Sequence, residues 1–289
     1  MPVPASASRP APASPAEARS TPVDGVEVIG ALSPSRAVDF VTCPLRYRFR
    51  TVDRLPEEPS LDAARGTLVH KVLEDLFDDP APDRTPERAR GMLAPTWEAL
   101  LGAEPDLAGL FEGDGPEVTT WLASCATVLD RWFTLEDPRR LEPAERELYV
   151  ETVTESRLLL RGFVDRLDIA RNGALRVVDY KTGRAPRPEY EAKALFQMKF
   201  YALVLWRTRG VVPTVLQLVY LGSGEVLRYH PDVDDLLATE RKVEAVWRAI
   251  VAARESGEWL PRRGPLCGWC SFQALCPEFG GAPPPLPTD

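Results

Sequence analysis

The residues best placed to do chemistry lie in one stretch, Gly162-Phe163-Val164-Asp165-Arg166-Leu167-Asp168-Ile169-Ala170-Arg171-Asn172-Gly173-Ala174-Leu175-Arg176-Val177-Val178-Asp179-Tyr180-Lys181. Asn172-Gly173 marks a tight hairpin turn, and two registers compete. A two-residue turn sets Ile169 against Arg176 and Asp168 against Val177, mixing apolar with charged partners. A three-residue loop, with Gly173 in the left-handed conformation, sets Ile169 against Leu175, Leu167 against Val177 and Asp168 against Arg176. This second register gathers the apolar pairs on one face and an ion pair on the other, so it is the expected one. It carries Asp165 opposite Asp179 on the face of the apolar pairs, and the two-residue period turns Lys181 the same way. Opposed carboxylates with Cβ atoms about 5 Å apart repel each other. A divalent cation between them removes that penalty and gives the pair a purpose. Solvated charges at a strand end are the plainer alternative.

The other candidates are scattered. His70, one of two histidines, flanks the apolar face of a helix and could reach a site beside the sheet. A lone helical histidine is otherwise a packing or surface residue. Gln197 and Tyr201 stand four apart on one helical face, a spacing that also fits an ordinary polar pair. His230, at a strand end before Pro231, has nothing to recommend it. Near the C-terminus Cys267-Gly-Trp-Cys270 and Cys276-Pro277 give C-x2-C-x5-C, while Cys43-Pro44 lies near the other end of the folded chain. Cys125 falls in the apolar stripe of a helix, where packing explains it. The remaining four cysteines suffice for one tetrahedral thiolate site, zinc or iron–sulfur, which spacing does not separate.

The elements that must position these residues follow from caps and periodicity. Ser33-Pro34 opens a short helix that ends near Cys43-Pro44. A longer one covers Leu61 to Phe77, with Leu68, Val69, Val72, Leu73, Leu76 and Phe77 on one face. Thr85-Pro86 starts a helical stretch expected to break at Pro95. Val118, Leu122, Cys125, Leu129 and Trp132 mark a further amphipathic helix, so residues 78–140 read as an acidic helical insertion. Strands then follow at Leu148–Val153, Leu158–Ala170 and Ala174–Thr182, a helix from Glu189 to about Arg209, strands at Thr214–Leu221 and Glu225–Tyr229, and a helix at Val233–Glu255. The order gives an α/β core with a mixed sheet that starts antiparallel. Residues 1–30 and 280–289, rich in proline, read as disordered tails around a domain over 31–279.

The chain has 289 residues, a net charge of −8 and 44% hydrophobic residues, enough for a substantial core. It has no apolar run of eighteen and no signal-peptide h-region, and five cysteines do not make a secreted disulfide scaffold, so a cytoplasmic protein without a membrane span is expected. The acidic total does not exclude nucleic acid, because a phosphate backbone responds to the local patch. Residues 56–155 hold 23 acids and 9 bases, whereas 157–187 hold eight bases and three acids, and 31–54 hold five arginines and two aspartates. Arg46, Arg48 and Arg50, beside Cys43, are expected to form a basic surface. There is no G-x4-G-K-[ST] loop, so the chain is no ATP-driven motor.

Taken in order, Ser33-Pro-Ser35, Cys43-Pro44 with Tyr47, Gly66-Thr-Leu-Val-His70, Gly162-Phe-Val-Asp165-Arg166, Asp179-Tyr-Lys181-Thr182-Gly183, Gln197-x3-Tyr201 and the closing C-x2-C-x5-C resemble the RecB-type branch of the PD-(D/E)XK nucleases. Within that branch the four-cysteine frame is similar to the iron–sulfur nuclease domain of AddB and to the exonucleases of CRISPR adaptation. The proline of the family's name is absent, since Val164 precedes Asp165. The resemblance implies a restriction-endonuclease-like core and a metal-dependent DNA exonuclease of repair or recombination. It makes His70, Asp165 and Asp179 ligands of Mg2+ or Mn2+, with Lys181 orienting or deprotonating the attacking water. Gln197, Tyr201 and Arg166 would hold DNA, and Cys43, Cys267, Cys270 and Cys276 would bind a [4Fe–4S] cluster, structural Zn2+ being the alternative. A helicase partner would be a separate polypeptide. The competing reading is a non-catalytic DNA-end-binding module of a helicase–nuclease complex.

Overall fold

The hairpin adopts the three-residue register. In the computed structural model, which describes residues 25–113 and 115–287, β3 (Leu158–Ile169) and β4 (Leu175–Lys181) pair Ile169 with Leu175, Asp168 with Arg176, Leu167 with Val177 and Arg166 with Val178. Gly173, at φ +81°, supplies the left-handed residue that this loop demands. β2 (Glu145–Val153) runs antiparallel along one edge of β3. β5 (Val215–Tyr220) lies parallel to β4, and β6 (Glu225–Tyr229) antiparallel to β5.

A sixth strand, β1 (Gly30–Leu32), pairs parallel with Leu158–Leu160. Three residues carry no readable period, which is why this strand is invisible in the sequence. Because β2 takes one edge of β3, β1 and β4 share the other edge at its two ends. The stretch 161–165 lies between them. The expected N-terminal tail is corrected in part: Ile29 donates its backbone N–H to Arg157 at 3.0 Å, so the ordered chain begins before residue 31. The part of that tail over residues 1–24 lies outside the described residues. At the other end, Arg48 donates to the Pro284 carbonyl, so the segment after Gly280 lies along the domain.

Side chains alternate between two cores. Val177, Leu216 and Leu218 face α1 (Pro34–Thr42), α2 (Pro44–Tyr47), α6 (Glu191–Arg209) and α7 (Val233–Ser256). Val178, Tyr180 and Val219 face α3 (Leu61–Leu76), α4 (Pro86–Ala103) and α5 (Val118–Leu135). The result is a three-layer α/β fold with a mixed sheet between helices, of the restriction-endonuclease-like kind. Ser33, Ser60 and Thr85 cap α1, α3 and α4 through their side chains. Among the described residues no helix is long and apolar enough to cross a membrane.

The expected break at Pro95 does not occur, and α4 runs through it. Proline lacks the N–H that would bond the carbonyl of Gly91, four residues back. Both positions are exposed, so water can take that carbonyl, while buried Ala89, Met92, Leu93 and Trp97 hold the helix against α3 and α5.

Candidate active site

The β3–β4 ladder ends where the carboxylates begin. Beyond the Arg166–Val178 pair the register carries Asp165 opposite Asp179, but Asp165 Oδ2 accepts the Tyr180 N–H at 2.7 Å through its side chain. On the other edge of β3, Glu147 falls between the pairs Arg146–Arg166 and Leu148–Val164, so it too comes opposite Asp165. Glu147 sits at φ +45°, which is uncommon for a residue with a side chain. Three carboxylates therefore stand in a row across β2, β3 and β4. His70, on α3, reaches round the strand end and places Nδ1 3.4 Å from Asp165 Oδ2, its ring edge-on to Tyr180.

Ligand atoms of His70, Glu147 and Asp165 all lie within 4.8 Å of one another. Glu147 is the functional candidate that sequence reasoning missed. Asp179, nearly fully buried, stands outside that trio on the α6 side. Lys181 Nζ contacts its Oδ2 at 2.6 Å, and Gln197 Nε2 donates to its Oδ1 at 2.9 Å. Gln197 Oε1 accepts from Lys181 at 3.0 Å, and Gln197 also donates to the Tyr201 hydroxyl at 3.2 Å. Gln197 and Tyr201 thus brace the carboxylate and the lysine. Tyr201 is buried, its ring seated where a Cβ on Gly162 would lie 2.7 Å from Cε1, which gives that motif glycine its reason.

The electrostatics match this crowding. Burial and the neighbouring Asp165 push the Asp179 carboxyl up to about 6, against the opposing pull of Lys181 and His70. Burial disfavours the His70 cation, but Asp165 and Asp179 outweigh it and raise the imidazole to about 9. Burial likewise opposes the Lys181 ammonium, and Asp179 overcomes it, holding Lys181 above the ordinary lysine value. A hard divalent cation relieves such a cluster, and carboxylate oxygens with one imidazole are donors that suit it.

The expected DNA contact at Arg166 is corrected. Its guanidinium is 1% exposed and faces the opposite side of β3, forked onto Glu136 at 2.8 and 2.9 Å. The basic surface at Arg46, Arg48 and Arg50 is corrected too. Arg46 and Arg50 pair with Asp39, Arg50 also with Glu57, and buried Arg48 pairs with Asp53. Exposed cations instead follow the lysine directly, at Arg184 and Arg187 in the β4–α6 connection and Lys193 in α6.

Cys43 and the three C-terminal cysteines lie near one another, although among the described residues no three of their sulfurs fall within 4.8 Å of one another. Burial raises the Cys276 thiol, and nearby Cys43, Cys270 and Cys267 raise it further, although a backbone N–H pulls the other way. Cys43 Sγ accepts the Arg262 N–H at 3.4 Å and Cys267 Sγ that of Gly264 at 3.3 Å. Cys125 is fully buried in the other core, where burial pushes its thiol up to about 11, as packing alone would have it.

Comparison with known proteins agrees with this geometry. The chain is 25% identical over 272 residues to the Gene 69 protein of Mycobacterium phage D29, covering 86% of this chain and 96% of that protein. It is 23% identical over 290 residues to the Gene 69 protein of phage L5, with the same coverage. The crystal structure of a candidate exonuclease from Eubacterium rectale has the same fold, with a TM-score of 0.54 at 13% identity over 83% of this chain and 86% of that one. The model of the PD-(D/E)XK nuclease superfamily matches residues 31–277, from β1 to the proline after the last cysteine, and to that superfamily the chain belongs.

Proposed function

We propose that this chain is a divalent-metal-dependent DNA exonuclease of the RecB-type branch, acting in the cytoplasm in DNA repair or recombination. The observation that carries the reading is the junction of Asp165, Asp179 and Lys181 at the open end of the hairpin, with His70 and Glu147 on its other flank. His70, Asp165 and Asp179 are the proposed ligands of Mg2+ or Mn2+, and Glu147 adds a further oxygen donor. Such an ion polarises a scissile phosphate and acidifies water at the site. The chain's own residues do the rest. Lys181 meets Asp179 and Gln197 as a donor, the posture of an ammonium, so its proposed part is to orient the attacking water and to neutralise charge developing on the phosphate. Gln197 holds both groups in register, and Tyr201 holds Gln197. Arg184, Arg187 and Lys193 are placed to take the phosphates of the strand.

Cys43, Cys267, Cys270 and Cys276 are the proposed ligands of a [4Fe–4S] cluster, with zinc the alternative occupant of the same thiols. A separate helicase subunit is the proposed partner that delivers DNA. The test is a time course on end-labelled single- and double-stranded DNA with Mn2+, Mg2+ or EDTA. Metal-dependent shortening is expected, with Lys181→Ala abolishing turnover while DNA binding persists. Binding without hydrolysis in every metal would replace the enzyme by a DNA-end clamp.

A further inference from the structure

Arg166 and Tyr180 directly follow Asp165 and Asp179 in sequence, so alternation turns their side chains to the face of the sheet behind the site. There they join one buried network. Arg166 Nη1 donates to the Tyr180 hydroxyl, and both Nη atoms fork onto Glu136. Arg166 Nε lies 3.2 Å from Asp168 Oδ1, and Asp168 in turn accepts from Arg176 at 2.8 Å. Glu136 also accepts from Trp132 Nε1 at 2.9 Å and from Gln217 Nε2 at 3.1 Å, and Gln217 Oε1 accepts from Arg228 at 2.9 Å. Glu136 is the residue that ends α5, so one carboxylate of the helical insertion ties together β3, β4 and β5.

The tie lies where the backbone gives none. Past Arg166–Val178 the two strands exchange no further ladder pair, and on the site's own face one side-chain contact, Asp165 to the Tyr180 N–H, spans the gap. β2 and β5 hold the two strands from their outer edges, and across the β3–β4 seam itself the spacing of Asp165 and Asp179 falls to the contacts that join Arg166 to Tyr180 from behind. We propose that Glu136 is a positioning residue for the Asp165–Asp179 pair, acting through Arg166 and Tyr180. The insertion thereby becomes part of the active-site support. The inference rests on the nuclease reading of the site.

A bidentate carboxylate–guanidinium pair fixes distance and plane together. The residues that orient metal ligands and nucleophiles lie behind them, and their loss typically costs about 10–100-fold in metal affinity or activity. Glu136 side-chain exposure is 8% and Arg166 exposure 1%, so water cannot substitute for either partner. Glu136→Gln keeps the shape but turns one acceptor oxygen into an N–H donor, so it loses one prong of the fork and, with it, the contact to either Trp132 or Gln217.

The test measures Mn2+ affinity by calorimetry and steady-state DNA hydrolysis well below the melting temperature, for wild type, Glu136→Gln and Tyr180→Phe. For folded Glu136→Gln, kcat should fall about tenfold or more and the Mn2+ Kd rise in parallel, with KM for DNA within about twofold. Tyr180→Phe, which removes one hydroxyl and buries no charge, should move kcat and Mn2+ affinity the same way by less, and it decides the matter if Glu136→Gln does not fold. A lowered melting temperature with kcat and Mn2+ affinity unchanged in the folded variants would make the network a mere structural tie and overturn the proposal. Wild type that binds no Mn2+ and cleaves nothing would instead remove the nuclease reading, and this inference with it.

Discussion

Asp179 carries the largest conflict of any residue in the site, since it is buried, anionic and faced by a second carboxylate. Its folded-state value of about 6, against an ordinary 3.8, means that the folded protein keeps a proton the unfolded chain releases. The stability this proton linkage provides is present below the ordinary value and lost as the pH rises through about 6. Asp179→Asn is uncharged at every pH, so in EDTA its Tm should exceed that of wild type by a few degrees at pH 8, with the difference closing towards pH 4. A variant less stable than wild type at pH 8 would show that the Lys181 contact outweighs burial and repulsion. These residues were legible for a physical reason: Asn172-Gly173 sets the turn, the turn sets the register, and the register places Asp165, Asp179 and Lys181. The same alternation also holds Arg166 on the opposite face, a signal in the sequence that motif similarity overrode. Glu147 gave no such signal, because its approach to His70 depends on how α3 crosses the strand ends and on a positive φ inside a strand.

At the scale of elements, the β4–α6 connection and the β5–β6 turn touch backbone to backbone beside the site. Gly222 donates its N–H to the Gly183 carbonyl at 3.0 Å, and a Cβ on Gly222 would lie 2.5 Å from that same backbone. Gly183 is two residues beyond Lys181. Gly222→Ala must push the loop aside, costing about 1–3 kcal/mol and displacing the lysine. Its Tm should drop by several degrees, and kcat should fall beyond what the unfolded fraction explains; a variant with wild-type Tm and turnover would show that the loop yields freely. Gly222 is not distinguishable in the sequence from an ordinary turn glycine, and the motif that includes Gly183 does not show this contact, since it joins segments far apart in the chain. Helices with strong caps and apolar stripes, such as α1, α3 and α7, could be read to within a residue or two. Pro95 misled because proline's penalty depends on whether the orphaned carbonyl is buried, a tertiary fact.

For the whole molecule, the proposed cluster on Cys43, Cys267, Cys270 and Cys276 would tie α1 and α2 to the segment that follows α7. Closing so long a loop restricts the unfolded chain, and the binding free energy of a cluster becomes folding free energy. Anaerobically purified protein should be brown, with iron and sulfide; Cys43→Ser should bleach it and lower its Tm, while Cys125→Ser should cost only packing. Colourless protein with one zinc would change the metal and keep the staple, and a stable, metal-free Cys43→Ser protein would remove both. At the carboxylate site, His70, Asp165 and Asp179 are the proposed holders of the divalent ion that serves DNA cleavage. Anomalous diffraction from crystals soaked in Mn2+, measured at the manganese edge, tests that assignment most directly. A peak bonded to His70, Asp165 and Asp179 and lost in Asp165→Asn is expected; manganese bound elsewhere, or a site that stays empty at concentrations that support cleavage, would overturn the ligand assignment.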